Sequence, residues 1–136
     1  MTTIAQARSG LAAAVTTGTG IRCDAYETDQ VLAPCFQVGR NPFDPRLAQG
    51  SQTKAEHHFK LRHYVPRTAD KQGQVQLDAA AETSGATSVK VAVETSANWG
   101  AVDVDYAEVV EVGEIVSVDR GESVLLMVEY DVRVVF

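Results

Sequence analysis

A chain of 136 residues, 45% hydrophobic and 22% charged, describes one domain with a core of its own. No apolar run approaches the roughly 20 residues needed to cross a bilayer, and the first residues lack a basic stretch followed by an apolar one, so neither a membrane span nor a signal peptide is expected and the protein should stay where it is made. The net charge of -6 is unevenly spread: residues 1–68 hold eight Lys/Arg against five Asp/Glu (+3), residues 69–136 four against thirteen (-9). That acidic half argues against general nucleic-acid binding. The asymmetry leaves either two solvated faces or a basic surface of one copy meeting an acidic surface of the next.

In chain order, Thr3 with Gln6 three residues later has the pattern of a capping box. Ile4, Ala7, Leu11, Ala12 and Val15 then follow at helical spacing, and Gly18 and Gly20 end the helix. Residues 21–26 read as a strand, 27–34 as a connection, and 35–39 as a second strand entered through Pro34. From 40 to 55 the periodicity dissolves into turn residues. A loop of that length is uncommon in a compact domain, and it is expected to be mobile in the free protein, with Phe43 and Leu47 as docking anchors. Residues 56–65 form a third strand, with Phe59, Leu61, His63 and Val65 on one face and His58, Lys60, Arg62 and Tyr64 on the other. A second helix, capped by Thr68 or Asp70, runs to about Glu82 and buries Gly73, Leu77, Ala80 and Ala81. Ser88 caps a third, carrying Val89, Ala92 and Val93 inward.

Two long strands close the chain, at about 102–118 and 123–136, joined through Asp119-Arg120-Gly121-Glu122. In the last, Val124, Leu126, Val128, Tyr130, Val132, Val134 and Phe136 share a face; Leu125 and Met127 open the other, which turns polar at Glu129, Asp131 and Arg133. At about 3.3 Å per residue such a run reaches on the order of 43 Å, about twice an ordinary strand. The surplus suggests a covering neighbour subunit. The order of elements predicts an α+β domain, a largely antiparallel sheet with helices on one face and a long C-terminal hairpin.

No constellation for catalysis stands out. His57 and His58 point to opposite strand faces, and His57 and His63 lie about 20 Å apart on a straight strand, so these histidines read as polar positions on a wet strand. Asp103, Asp105, Glu108, Glu111 and Glu114 have no nucleophile or glycine-rich loop beside them in sequence. Cys23 and Cys35 fit no metal motif and are expected to be free thiols, although adjacent strands would make a disulfide geometrically conceivable. Trp99 reads as a core anchor. Arg40, Arg46, Lys54, Lys60, Arg62 and Arg67 form a basic cluster without interleaved stacking aromatics, which suits an acidic protein surface as well as phosphates.

The alanine-rich first helix, the strand at 21–26, the Pro34 entry and the segment Ser84-Gly85-Ala86-Thr87-Ser88-Val89-Lys90-Val91-Ala92-Val93-Glu94, followed by two acid-rich strands, resemble the tail terminator proteins of long-tailed phages, especially those infecting actinobacteria. The resemblance implies a single non-enzymatic domain without cofactor or metal. It would form a hexameric ring at the head-proximal end of the virion tail, assembled in the host bacterial cytoplasm. Its partners would be other copies of itself, the tail tube protein and a head-completion or neck protein. DNA would pass through the channel without sequence-specific binding, and no membrane is involved. Arg40, Phe43, Arg46, Leu47, Lys54, Arg62 and Arg67 are the candidates for subunit or tube contact. Asp103, Asp105, Glu108 and Glu111 are the candidates for lining the channel. Another neck ring protein, or a small cytosolic enzyme or ligand-binding domain, is the alternative.

Overall fold

A computed structural model of the chain describes residues 3–28, 31–40, 56–67, 70–120 and 123–136. Helix α1 (Ile4–Thr19) starts at a true capping box: the Thr3 hydroxyl accepts from the Gln6 amide and the Gln6 side chain accepts from the Thr3 amide. It ends at Gly20, whose φ of 75° is the left-handed region glycine enters without a Cβ penalty. Strands β1 (Cys23–Asp24), β2 (Cys35–Arg40) and β3 (Glu56–Pro66) follow. Then come helices α2 (Asp70–Ala81) and α3 (Val89–Glu94) and a 3-10 turn (Ser96–Trp99). Strands β4 (Tyr106–Val112), β5 (Val116–Arg120) and β6 (Ser123–Val135) complete the chain. The spatial order is β1-β2-β3-β6-β4, with β5 also paired to β6; among the described strands only β1–β2 is parallel. The fold is α+β, as the order of elements predicts.

Strand β6 is the centre of the sheet. It pairs antiparallel with β3 from Glu56↔Val135 to Pro66↔Leu125 along one side. On the other it pairs with β4 near its C-terminus and β5 near its start. Its expected apolar face holds: Leu126, Val128, Tyr130, Val132 and Val134 are buried with Phe36, Val38, Phe59, Leu61 and Val65 beneath the helices. On the reverse face Leu125 joins Cys35 and Tyr64 in a smaller cluster covered by Val31, Ala33, Val118 and Met127.

Three expectations change. First, the domain covers its own long strand, so the length of β6 does not demand a neighbour; among the buried-face residues only Val124, at the tip, is exposed. Second, the strand expected at 102–118 begins its ladder at Tyr106, slips register between Val109 and Glu111, and breaks before Val116. Gly113 lies against β6 there, its amide donating to the Glu129 carbonyl at 2.7 Å, and a Cβ on it would stand 3.1 Å from that oxygen. Third, the strand at 21–26 contracts to two residues, because Arg8 of α1 donates to the Ala25 carbonyl (3.2 Å) and to Val38 O (3.0 Å) and draws the chain off the ladder.

The helices lie close on the sheet and on one another. The Trp99 indole is 2% exposed and donates to the Val93 carbonyl at 2.8 Å. Its ring leaves no room for a side chain at Gly10, where a Cβ would be 2.8 Å from Cε3. At Gly18 an added Cβ would stand 2.3 Å from Ala92 Cβ and 2.6 Å from Ala92 Cα on α3. In an exposed helix Gly→Ala gains about 1 kcal/mol. Here the obstacle is backbone, which cannot swing aside, so Gly18→Ala is expected to lower stability by about 1–3 kcal/mol. Urea unfolding measures this; an unchanged or higher midpoint would mean α1 and α3 do not approach this closely.

Candidate functional site

Two surfaces carry the polar side chains that the sequence singled out. The first is the face of the sheet opposite the helices. Strand alternation brings Glu56, His58, Lys60 and Arg62 of β3 beside Glu129, Asp131 and Arg133 of β6 and Glu108 and Glu111 of β4. The charges interlock across strands. Arg62 donates Nε to Glu129 at 2.8 Å and pairs through its other arm with Glu27. Arg133 reaches Glu108 at 3.1 Å and Glu56 at 3.5 Å and lies over the Tyr106 ring. His58 sits between two carboxylates, Nδ1 at 3.0 Å from Asp131 and Nε2 at 3.0 Å from Glu56. Burial alone would lower its pKa, but the hydrogen bonds to Asp131 and Glu56 outweigh that and hold it above the usual histidine value. A shallow hollow of about 220 Å³ lies in this lattice, lined by Lys60, Glu111, Gly113, Glu129, Tyr130 and Asp131.

The second surface runs along the outer edge of β4 and β5. At its start a hollow of about 220 Å³ is floored by Val93, Trp99, Val104 and Ala107 and rimmed by Glu94, Ser96, Asp105 and Tyr106. Beyond it Val110, Val112 and Ile115 are exposed, with Glu111, Glu114 and Asp119 exposed beside them.

The structure separates the residues grouped by sequence. Of the proposed contact residues, Phe43, Arg46, Leu47 and Lys54 lie outside the described residues, with most of the loop expected at 40–55. Arg40 ends β2, and its side chain is also outside the described set. Arg62 is engaged within its own chain, and Arg67 donates to the Ser117 hydroxyl at 3.1 Å. Of the acidic candidates, Glu108 and Glu111 share the open face, where Glu108 is held by Arg133 and Tyr106. Asp103 and Asp105 are exposed on the segment before β4, and Asp105 belongs to the Trp99 hollow. The four do not form one row.

The histidines depart from expectation most sharply. His57 is 6% exposed and stacks on Phe136 (centroids 4.3 Å), and His63 is fully buried and stacks on Phe36 (4.0 Å). Neither occupies a wet strand position. Alternation along β3 sets both on the buried face with Phe59, Leu61 and Val65, and there each ring has a phenyl ring from another part of the chain to lie on. Cys23 and Cys35 are free thiols on opposite faces of the sheet, Cys23 against the helix-side core and Cys35 in the reverse cluster, so they do not bridge. Burial raises both thiols above the usual range and keeps them protonated and unreactive. Among the described residues no group of three or more His, Cys, Asp or Glu could hold a metal ion. Among them too, no helix is long and apolar enough to cross a bilayer. Sequence reasoning missed the part played by Arg8 and Arg133, which with Arg62 tie elements together. Only an arginine interrupting an apolar helix start, or one facing an acid-rich strand, could have signalled them.

No family model matches the chain, and no curated protein matches it.

The buried His63 makes a pH prediction. Burial depresses its pKa from 6.5 to about 4, and among the described residues neither ring nitrogen has a hydrogen-bond partner. As pH falls below 6.5 the unfolded chain binds a proton that the folded chain refuses. The neutral His63 therefore supports the fold above 6.5, and that support is lost as pH drops towards 4, amounting to about 3 kcal/mol. The raised pKa of His58 acts in the opposite sense, contributing below 6.5 and fading as pH rises through its folded value. His63→Phe keeps the stack on Phe36 and removes the titration. Relative to the parent it is expected to gain about 2–3 kcal/mol between pH 7 and pH 4.5, read from urea unfolding at both. Parallel pH profiles would refute the assignment.

Proposed function

We propose that the chain is a structural virion protein, a subunit of a six-fold ring that caps the tail tube of a long-tailed phage, stops its growth and offers the surface to which the head joins. The observation that carries the reading is the hairpin arm. Val110 (50% exposed), Val112 (42%) and Ile115 (38%) stand uncovered on a domain whose other long apolar faces are closed by its own helices and connections. Scattered surface valines are ordinary, but a run of them on one sheet edge marks a contact with protein. The layout supports the same reading: the capped α1, the segment 84–94 that forms the Ser88 cap and α3, and the acid-rich final strands are the features on which the resemblance rests.

Neither polar surface favours an enzyme or small-ligand domain. The hollows on the two polar surfaces, each of about 220 Å³, fall below the range of about 300–1,000 Å³ in which ligand sites usually lie. On the open face each carboxylate that touches His58 is matched by a base or a ring N–H rather than poised for proton transfer. In this reading the chain has no catalytic role and needs no cofactor, and its partners are its own copies, the tube protein and a head-completion protein. The open sheet face is the better candidate for the channel than the four acids alone. Its carboxylates Glu27, Glu56, Glu108, Glu111, Glu129 and Asp131 outnumber the bases His58, Lys60, Arg62 and Arg133, so DNA would pass a weakly repelling lattice.

Removing the chain from an assembling phage tests the function. Electron micrographs are expected to show tails of irregular length without heads. Tails of normal length, joined to heads, would overturn it.

A further inference from the structure

The two edges of the sheet are unlike. On the β1–β2 side the strand edge is shut by the residues after Asp24: Arg8 bonds the carbonyls of Ala25 and Val38, Gln37 bonds the Thr28 hydroxyl at 2.9 Å, and the Glu27 carboxylate lies 2.9 Å from where a Cβ on Gly39 would be. On the other side, among the described residues, β4 and β5 have β6 as their sole strand neighbour. The first half of β4 is guarded, since the Val109 amide donates to the Glu94 carboxylate of α3 at 3.4 Å and Lys90 holds that carboxylate at 2.6 Å. Past the register slip the guard ends. There the apolar side chains of Val110, Val112 and Ile115 alternate with the exposed carboxylates of Glu111 and Glu114, and Asp119 follows on β5.

The geometry points to this edge as the docking strand for an extended, basic segment of a different protein, one in which lysines or arginines alternate with aliphatic residues. An open strand edge offers unpaired backbone groups to an added strand, and the side chains beside it select what is added. Here the selection is for aliphatic side chains against Val112 and Ile115 and for cations against Glu114 and Asp119. The apolar-floored, acid-rimmed hollow at Trp99 and Asp105 would take the aliphatic stem and charged end of one more lysine or arginine. A second copy pairing through this same edge fits poorly. Two such edges paired about a two-fold would set Glu108, Glu111, Glu114 and Asp119 against the same four acids, and like charges directly opposed destabilise a sheet. The opposite edge is shut, and residues 21–40 around it carry two bases against three acids. The inference rests on reading the chain as an assembly subunit, but not on which assembly.

The test uses the purified chain and a synthetic peptide alternating valine and lysine, with a valine/glutamate peptide as control. The lysine peptide is expected to bind and to slow amide exchange at residues 110–119. Glu114→Lys with Asp119→Lys should weaken it ten-fold or more while circular dichroism and the thermal midpoint stay those of the parent; Val112→Pro should abolish it. Equal binding of the glutamate peptide, or protection that misses residues 106–120, would overturn the proposal. So would a folded Val112→Pro variant that loses a self-assembly the parent has, because the edge would then join copies; that outcome leaves the ring reading standing. A ring that forms in both proteins while the lysine peptide fails to bind would sink the docking strand alone.

Discussion

The pairing of β6 with β3 is the constraint on which the structure depends. Residues 56–66 must find 125–135, some seventy positions away, in one register. Shifting that register by a single residue would move Glu129, Asp131 and Arg133 beneath the helices and carry Val128, Tyr130 and Val132 to the open face. Burial of five alternating apolar residues on β6 opposite Phe59, Leu61 and Val65 makes the correct register far better than its neighbours. The charged residues add specificity of their own, since Arg62 meets Glu129, and Arg133 meets Glu56 and Glu108, in this register. Such ion pairs on a half-exposed surface add little stability each. Their part is to make the wrong registers worse.

Once β6 is fixed, the rest of the molecule takes its place around it. The helix face needs close cover, which glycines at 10 and 18 and the Trp99 ring supply by letting α1 approach both the 3-10 turn and α3. The reverse face divides in two. Near the hairpin it is apolar and capped by residues 31–33; farther along it is a lattice of charges. The outer edge is the one long boundary that the described residues leave incomplete. The register slip and the glycine at 113 twist and interrupt that edge, which is how natural sheets limit indiscriminate pairing. An edge so managed yet still apolar suits a chosen partner better than none.

The sequence made the backbone of this account legible where a short-range rule governs it. Thr3 and Gln6 specify their cap locally, Ser88 does likewise, and the period of two in β6 declares its faces over many residues. Where a residue's environment comes from a distant element, the pattern was silent or misleading. His57 and His63 looked like polar positions because Phe136 and Phe36, which they stack on, are remote in sequence. Arg62 and Glu108 looked free to meet another subunit because their in-chain partners are set by strand register, which no local window contains. The strand at 21–26 is shorter than its residues suggest because nothing in them shows that Arg8 will capture Ala25. The long reach of β6 was legible, but its cover was not: β4 and β5 act as one interrupted strand along its far side.

On the proposed function this domain is one of several copies in a ring. Native mass of the purified chain, measured together with negative-stain images over a range of concentrations, tests it most directly. The account predicts a six-fold annulus with an open centre, in equilibrium with smaller species. A single species of 14.6 kDa at every concentration, with no annuli in the images, would contradict it.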